Sequence, residues 1–376
     1  MTRILLIAGD PSGDIHAATL ARALKTKRPD LDIWAVGGPS LQKTADRFLK
    51  NIVDDCVVGF WEPAKKLPFF VRLMNETIRP VLQEAKPDVV IPVDFFGFNR
   101  LVARHAKQSG CKVLYYIGPQ VWASRPGRLK VIRRIVDKML VIFPFEKPVY
   151  EAEGIPAEFV GHPLLETIAE IPVDSPAEGN GRTVGLLPGS RPDEIRRHLP
   201  LFLKAAERIA AEEPEIRFLL FMAPTLPDTV YESVLAGAGE ISKKVRALRD
   251  EDYLQRRKCD WTITCSGTAT LENALLGLPM VVVYRMSWIT YWIARMIVRV
   301  SWIALPNILA GRAVVPEMIQ GGATPESIAR TGLDWIRSAQ TRFTVREELL
   351  ALRPRLGSSG GARKAEDVVL DFLKGQ

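Results

Sequence analysis

Ser266, Gly267 and Thr268 follow an apolar, β-branched run at 261–264 and precede Leu271, Ala274, Leu275 and Leu278 at helical spacing. A helix that opens after a small-residue loop leaves amide N–H groups free and carries positive partial charge. Such a terminus is a ready anion site, and phosphate is its usual occupant. Glu272 stands one turn into this helix. A carboxylate there repels phosphate, so it should meet an uncharged neighbour such as a ribose hydroxyl. The plain alternative is a helix-dipole contact worth about 0.3–1 kcal/mol. Gly189, Ser190 and Arg191 repeat the arrangement between a strand pattern at 183–187 and a helix. Arg191 suits a diphosphate through charge-assisted hydrogen bonds; the alternative is an exposed loop arginine. Asp94 ends the strand pattern 87–94. Its carboxylate is a candidate general base, and an N-cap of the following helix explains it equally well.

The elements that must position these groups alternate along the chain. Strand patterns at 4–8, 33–36, 87–94, 112–117 and 138–143 are separated by helical ones. Proline and glycine at 163, 172, 176, 179 and 181 then interrupt the pattern, and a second alternating set begins at 183. Alternation of this kind predicts an α/β protein with two doubly wound, Rossmann-like domains and a cleft between them. The expected division is 1–165, a linker at 166–182, and 183–361, with a short amphipathic helix in 362–376 returning to the first domain. In such sheets ligands sit at the carboxyl ends of the strands. Gly9, Asp10 and Asp94 all fall there. The loop 9–14 is not G-x-G-x-x-G, so no dinucleotide site is predicted, and a tight turn into a helix accounts for it.

The chain has 376 residues, 47% hydrophobic and 25% charged, with a net charge of +8. Four cysteines without a C-x-x-C pair suit a reducing cytosol. No signal peptide is apparent, and no apolar run reaches the length of a membrane span. His16, His105, His162 and His198 make no metal-binding spacing, and the cysteines add none. The basic balance favours an anionic partner. Acidic residues are missing from 95–136 and from 273–316, where arginine and lysine continue. Across 284–302, Trp288, Trp292, Arg295 and Arg299 interleave aromatic and cationic groups, as a membrane interface requires. Trp61 lies in a second such stretch, 57–72. The alternative makes these aromatics core or homodimer contacts. No nucleic-acid module is present, so no nucleic acid is expected.

Taken together, the motifs resemble those of the lipid A disaccharide synthase family of GT-B glycosyltransferases. They run collinearly: AGDPSGD at 8–14, VGGP at 36–39, VDFFGFN at 93–99 and YIGPQVWA at 116–123. RPGR at 125–128, FPFEK at 143–147, FVGHP at 159–163 and LLPGSR at 186–191 with Glu194 and Ile195 follow. The series ends with SGTATLE at 266–272, YRM at 284–286 and LPNILAGR at 305–312. The resemblance implies a metal-independent, cofactor-free, inverting transfer from UDP-2,3-diacylglucosamine to 2,3-diacylglucosamine 1-phosphate (lipid X). The product is a β-1,6 disaccharide, made by a peripheral protein on the cytoplasmic face of the inner membrane. By position, Arg191 would neutralise the leaving diphosphate with Gly189 and Ser190 beside it. Ser266, Gly267 and Thr268 would offer amides, Glu272 the ribose contact, and Asn307 would face the donor with Arg312 supporting its loop. Asp94 would deprotonate the acceptor, with Gly9, Asp10, Ser12, Gly13, Asp14 and Asn99 on the acceptor side. Departures cluster there: Asp10 replaces a usual glutamate, Phe96 and Gly97 a commoner Pro-Asp or Pro-Gly, Gly118 a serine and Ser124 a tryptophan. The stretch 61–63 also departs. The competing readings are a related transferase with another lipid acceptor, a UDP-N-acetylglucosamine 2-epimerase, and a nonenzymatic binding protein.

Overall fold

The computed structural model describes residues 2–53, 67–124, 126–169, 181–250, 252–298, 300–357 and 364–375. The chain forms two compact units, Met1–Pro163 with Leu356–Gln376, and Leu164–Arg355. Each is built on an all-parallel sheet.

In the first unit the strands are β1 (Arg3–Ala8), β2 (Asp32–Gly37), β3 (Arg47–Asn51), β4 (Val89–Val93), β5 (Lys112–Tyr116), β6 (Lys138–Val141) and β7 (Ala157–Phe159). They lie in the order β3-β2-β1-β4-β5-β6-β7. The order reverses between β1 and β4, where Ala8 pairs with Val93. That point is the topological switch of a doubly wound sheet, and it delivers residues 9–14 and 94–99 side by side at the carboxyl edge. Both strands are apolar runs because helices cover both faces; every residue of β4 is buried.

The helix after β1 is Pro11–Lys27, so it starts inside the predicted loop 9–14. Asp10 is its N-cap, accepting from the Gly13 N–H, and Pro11 supplies the pre-set first helical position. Asp14 is in the first turn, where its carboxylate meets a favourable dipole. The C-terminal helix Ala365–Lys374 lies in this unit, with Lys27 2.6 Å from Asp367.

In the second unit β8 (Thr183–Leu187), β9 (Arg217–Phe221), β10 (Val245–Leu248), β11 (Trp261–Cys265), β12 (Met280–Tyr284) and β13 (Glu317–Ile319) take the order β10-β9-β8-β11-β12-β13. The reversal here is between β8 and β11, where Thr264 pairs with Leu187. It sets loop 188–191 beside loop 266–268. Trp261 is fully buried and meets Trp335 edge to face at 5.7 Å, anchoring β11 against the helix Pro325–Arg337. Residues 164–169, divided in the sequence reading between the first domain and the linker, are a helix of this second unit.

Candidate active site

At the switch point of the first unit, Asp94 and Phe95 have φ of 46° and 47°. Two successive non-glycine residues in the left-handed region cost on the order of 1–3 kcal/mol each and persist only where the surroundings over-determine them. Here the Tyr115 hydroxyl donates to the Asp94 carbonyl at 2.6 Å, and Asn99 Nδ2 donates to the same oxygen at 2.8 Å. Asn99 also donates to the Val93 carbonyl at 3.1 Å. The Phe95 ring covers Gly9 so closely that a Cβ there would lie 2.2 Å from it. The helix Phe96–Gln108 is capped by Phe95 with no side-chain bond, so Asp94 is not its N-cap.

Among the described residues the Asp94 carboxylate accepts one bond, from the Phe95 N–H at 2.7 Å. Burial raises its pKa to about 7, and the neighbouring Asp10 charge adds to the shift. Asp10 itself accepts from Ser12 Oγ at 2.5 Å and the Gly13 N–H at 3.3 Å. His16 is half-buried, and desolvation lowers its pKa, partly offset by the Asp10 charge. Burial lowers His162 to about 3. A carboxyl poised near neutrality is matched to accepting a proton at physiological pH.

Two residues expected on the acceptor side do other work. Asp14 is 2% exposed, and its carboxylate accepts from the Gly38, Ser40 and Leu41 N–H groups at 2.7, 2.8 and 3.2 Å. It therefore joins the first helix to the turn after β2. Asn99 is fully buried, and its amide shapes the Asp94 turn rather than facing solvent.

In the second unit the loop after β8 turns at Gly189, whose φ of 133° excludes a side chain. A Cβ there would lie 2.6 Å from Glu194. Glu194 accepts from the Ser190 N–H at 3.0 Å and from Arg191 Nη1 at 3.0 Å, so an internal carboxylate engages the loop's donors. Arg191 is the N-cap of the helix Pro192–Glu212, and its side chain is two-thirds exposed. His198, on that helix, donates from Nδ1 to the Pro188 carbonyl at 3.0 Å and accepts at Nε2 from the Arg285 N–H at 3.0 Å. Those two bonds require the neutral imidazole, which burial favours. His198 thus fastens the 188 loop to the end of β12.

The helix Thr268–Leu275 starts at Gly267 with no side-chain cap and no acidic residue in its first turn. Ser266 Oγ donates to the Ile303 carbonyl at 2.8 Å, so this hydroxyl is committed to the backbone. Glu272 is not beside an uncharged partner alone: its Oε2 is 2.5 Å from Arg256 Nη1. Asn307 differs from expectation as well. It is fully buried, donates to the Val315 carbonyl and Glu317 Oε1, both at 2.9 Å, and accepts from the Val314 and Val315 N–H groups at 2.7 and 3.0 Å. Its amide is saturated, so it cannot face the donor. Together with Glu317, which accepts from the Ile303 and Ala304 N–H groups, it holds the segment that receives Ser266. Arg312 is exposed and pairs with Glu348 at 2.9 Å.

Sequence reasoning missed Tyr115, Glu317, His198 and Arg256. Each acts through a partner distant in sequence, and only the tertiary pairing shows it. Trp288 and Trp292 are 60% and 61% exposed on the helix Trp288–Ile297, and Arg295 is exposed on the same helix. Trp61 and Arg299 lie outside the described residues. Among the described residues no group of three or more His, Cys, Asp or Glu could hold a metal ion, and no helix is long and apolar enough to cross a membrane.

Two Rossmann-like units, each with its loops at the switch point of a parallel sheet, define the class as a two-domain α/β protein of GT-B type. Solved structures agree at the level of fold. A UDP-N-acetylglucosamine 2-epimerase from Listeria monocytogenes, described as putative, superposes with a TM-score of 0.66 at 16% identity, over 99% of this chain and 96% of that one. MurG from Acinetobacter baumannii superposes with a TM-score of 0.57 at 15% identity, over the whole of both.

Sequence comparison then specifies the family. The model of the lipid-A-disaccharide synthetase family, LpxB, matches residues 4–355, and the chain belongs to that family. The lipid-A-disaccharide synthase of Syntrophus aciditrophicus is 41% identical over 99% of this chain and 98% of that protein. That of Nitrosococcus oceani is 40% identical over 99% and 97%. The protein is accordingly a glycosyltransferase, and the epimerase alternative, which rests on fold likeness alone, is not favoured.

The shifted Asp94 gives a stability test. Its folded pKa lies above the ordinary 3.8, so between pH 4 and 7 the folded state keeps a proton that the unfolded state releases, and stability falls as pH rises. At about 1.4 kcal/mol per pH unit, the cost above pH 7 is about 4 kcal/mol at most and about 2 after screening. Asp94→Asn should therefore be about 2 kcal/mol more stable than the wild type at pH 8 and no more stable at pH 4, by urea unfolding. The same difference at both values would contradict the shifted titration.

Proposed function

We propose that the protein transfers 2,3-diacylglucosamine from UDP to the hydroxyl of 2,3-diacylglucosamine 1-phosphate with inversion, without a metal, at the cytoplasmic surface of the inner membrane. The observation that carries this reading, in a chain of this family, is the Asp94 carboxyl held in a strained turn with a pKa of about 7. The acceptor hydroxyl gives its proton to Asp94 as its oxygen bonds to the anomeric carbon. The bond from that carbon to the diphosphate breaks, and its electron pair leaves with UDP. Arg191 and the first-turn amides of the helix Thr268–Leu275 take up the charge that develops there. Glu272 accepts from the ribose hydroxyls. Glu194 gives up its hold on Ser190 and Arg191 when the diphosphate arrives, because a second anion cannot share the same donors.

UDP release from UDP-2,3-diacylglucosamine, measured in detergent with EDTA, should require 2,3-diacylglucosamine 1-phosphate and proceed at the rate seen without EDTA. Release without acceptor contradicts the transfer, and loss in EDTA contradicts metal independence. Membrane association is supported by the exposed apolar face of the helix Trp288–Ile297, where Ile289 and Met296 are 76% and 79% exposed beside Trp288 and Trp292. Arg295 on the same helix supplies charge for lipid phosphate. Replacing Trp288, Trp292 and Met296 together by serine should lower co-sedimentation with phosphatidylglycerol-containing vesicles at least fivefold while UDP affinity stays unchanged. Undiminished sedimentation would remove this helix from the membrane contact.

A further inference from the structure

Arg256 is nearly buried, and nothing in its sequence context marks it as functional. The Asp250 carboxylate accepts from the Gln255 and Arg256 N–H groups at 2.9 and 2.8 Å, which fixes the backbone. The guanidinium lies over the Tyr253 ring at 5.1 Å and the Phe221 ring at 5.5 Å. Tyr253, three residues before Arg256, has a φ of 62°, in the left-handed region. With both aromatic rings close to the cation, its Nη1 meets Glu272 Oε2 at 2.5 Å. The side chains of this pair are 10% and 18% exposed.

A lone carboxylate one turn into an anion-binding helix would oppose the diphosphate it stands beside. Pairing with Arg256 opposes that charge. The Tyr253 hydroxyl also interacts with the carboxylate, whose two oxygens together have about four acceptor sites, so capacity for a ribose hydroxyl remains. We propose that Arg256 is a positioning residue for sugar recognition: it orients and neutralises Glu272 so that the site selects a ribonucleoside diphosphate over its deoxy counterparts. The proposal rests on the reading of Glu272 as the ribose contact.

Calorimetric titration with UDP, 2′-deoxy-UDP and 3′-deoxy-UDP tests it. The wild type should prefer UDP over at least one deoxy analogue by tenfold or more. Arg256→Met keeps an apolar stem beside the two rings. It should weaken UDP about tenfold and leave the disfavoured analogue unchanged, so that discrimination disappears. Arg256→Lys, which keeps the charge but not the planar fork, should weaken UDP about threefold with the same analogue unchanged, and it serves if the methionine variant does not fold. Equal weakening of UDP and that analogue by either variant, or no weakening at all, overturns the assignment. Glu272→Gln separates the two levels. If it keeps full discrimination, the ribose reading fails and the proposal with it. If it loses discrimination while Arg256→Met retains it, only the role of Arg256 fails.

Discussion

A parallel sheet buried on both faces delivers its chain, at every carboxyl end, into a loop whose N–H and C=O groups have left the ladder and must be paired again. Both units meet this constraint with carboxylate and amide side chains. Asp10 and Asp14 satisfy N–H groups after β1 and β2. Glu194 does so after β8, and Asn307 with Glu317 before β13. The groups suited to chemistry are those that retain capacity after this pairing. Asp94 accepts a single bond among the described residues, and Glu272, held by Arg256 and beside the Tyr253 hydroxyl, keeps lone pairs to spare.

The same accounting separates two kinds of residue within one motif. In the VDFFGFN stretch the Asp94 carboxylate keeps acceptor capacity, while Asn99 and the more distant Tyr115 hold its carbonyl in place. In the LPNILAGR stretch Asn307 is spent on the backbone of 314–315 and on Glu317, and Ser266 is tied through Ile303 to the same segment. Mutating such supports should disturb the site through position, and mutating Asp94 or Arg191 through charge.

Much of this was legible in the chain itself. Apolar runs followed by small or acidic residues marked the strand ends, and helical spacing after 268 and 192 marked two helices of the second unit. The doubly wound alternation follows from the same pattern. Three things were not legible. The start of the first helix at Pro11 was obscured because Gly13 and Asp14 read as loop residues, although Asp10 and Pro11 are a cap and a first helical position. The saturation of Asp14 and Asn307 depends on backbone donors 24 and 7 residues away, which no local pattern encodes. The partner of Glu272 lies on a short turn before β11, 16 residues away in sequence.

The central claim is that Asp94 is the base and that its burial beside Asp10 sets when it works. The pH dependence of kcat, measured from pH 5 to 9 with saturating donor and acceptor, tests it most directly. The account predicts an acidic limb of unit slope with its midpoint near 7, absent from the residual activity of Asp94→Asn. A midpoint in the ordinary carboxylate range near 4, or the same limb in the asparagine variant, would contradict it.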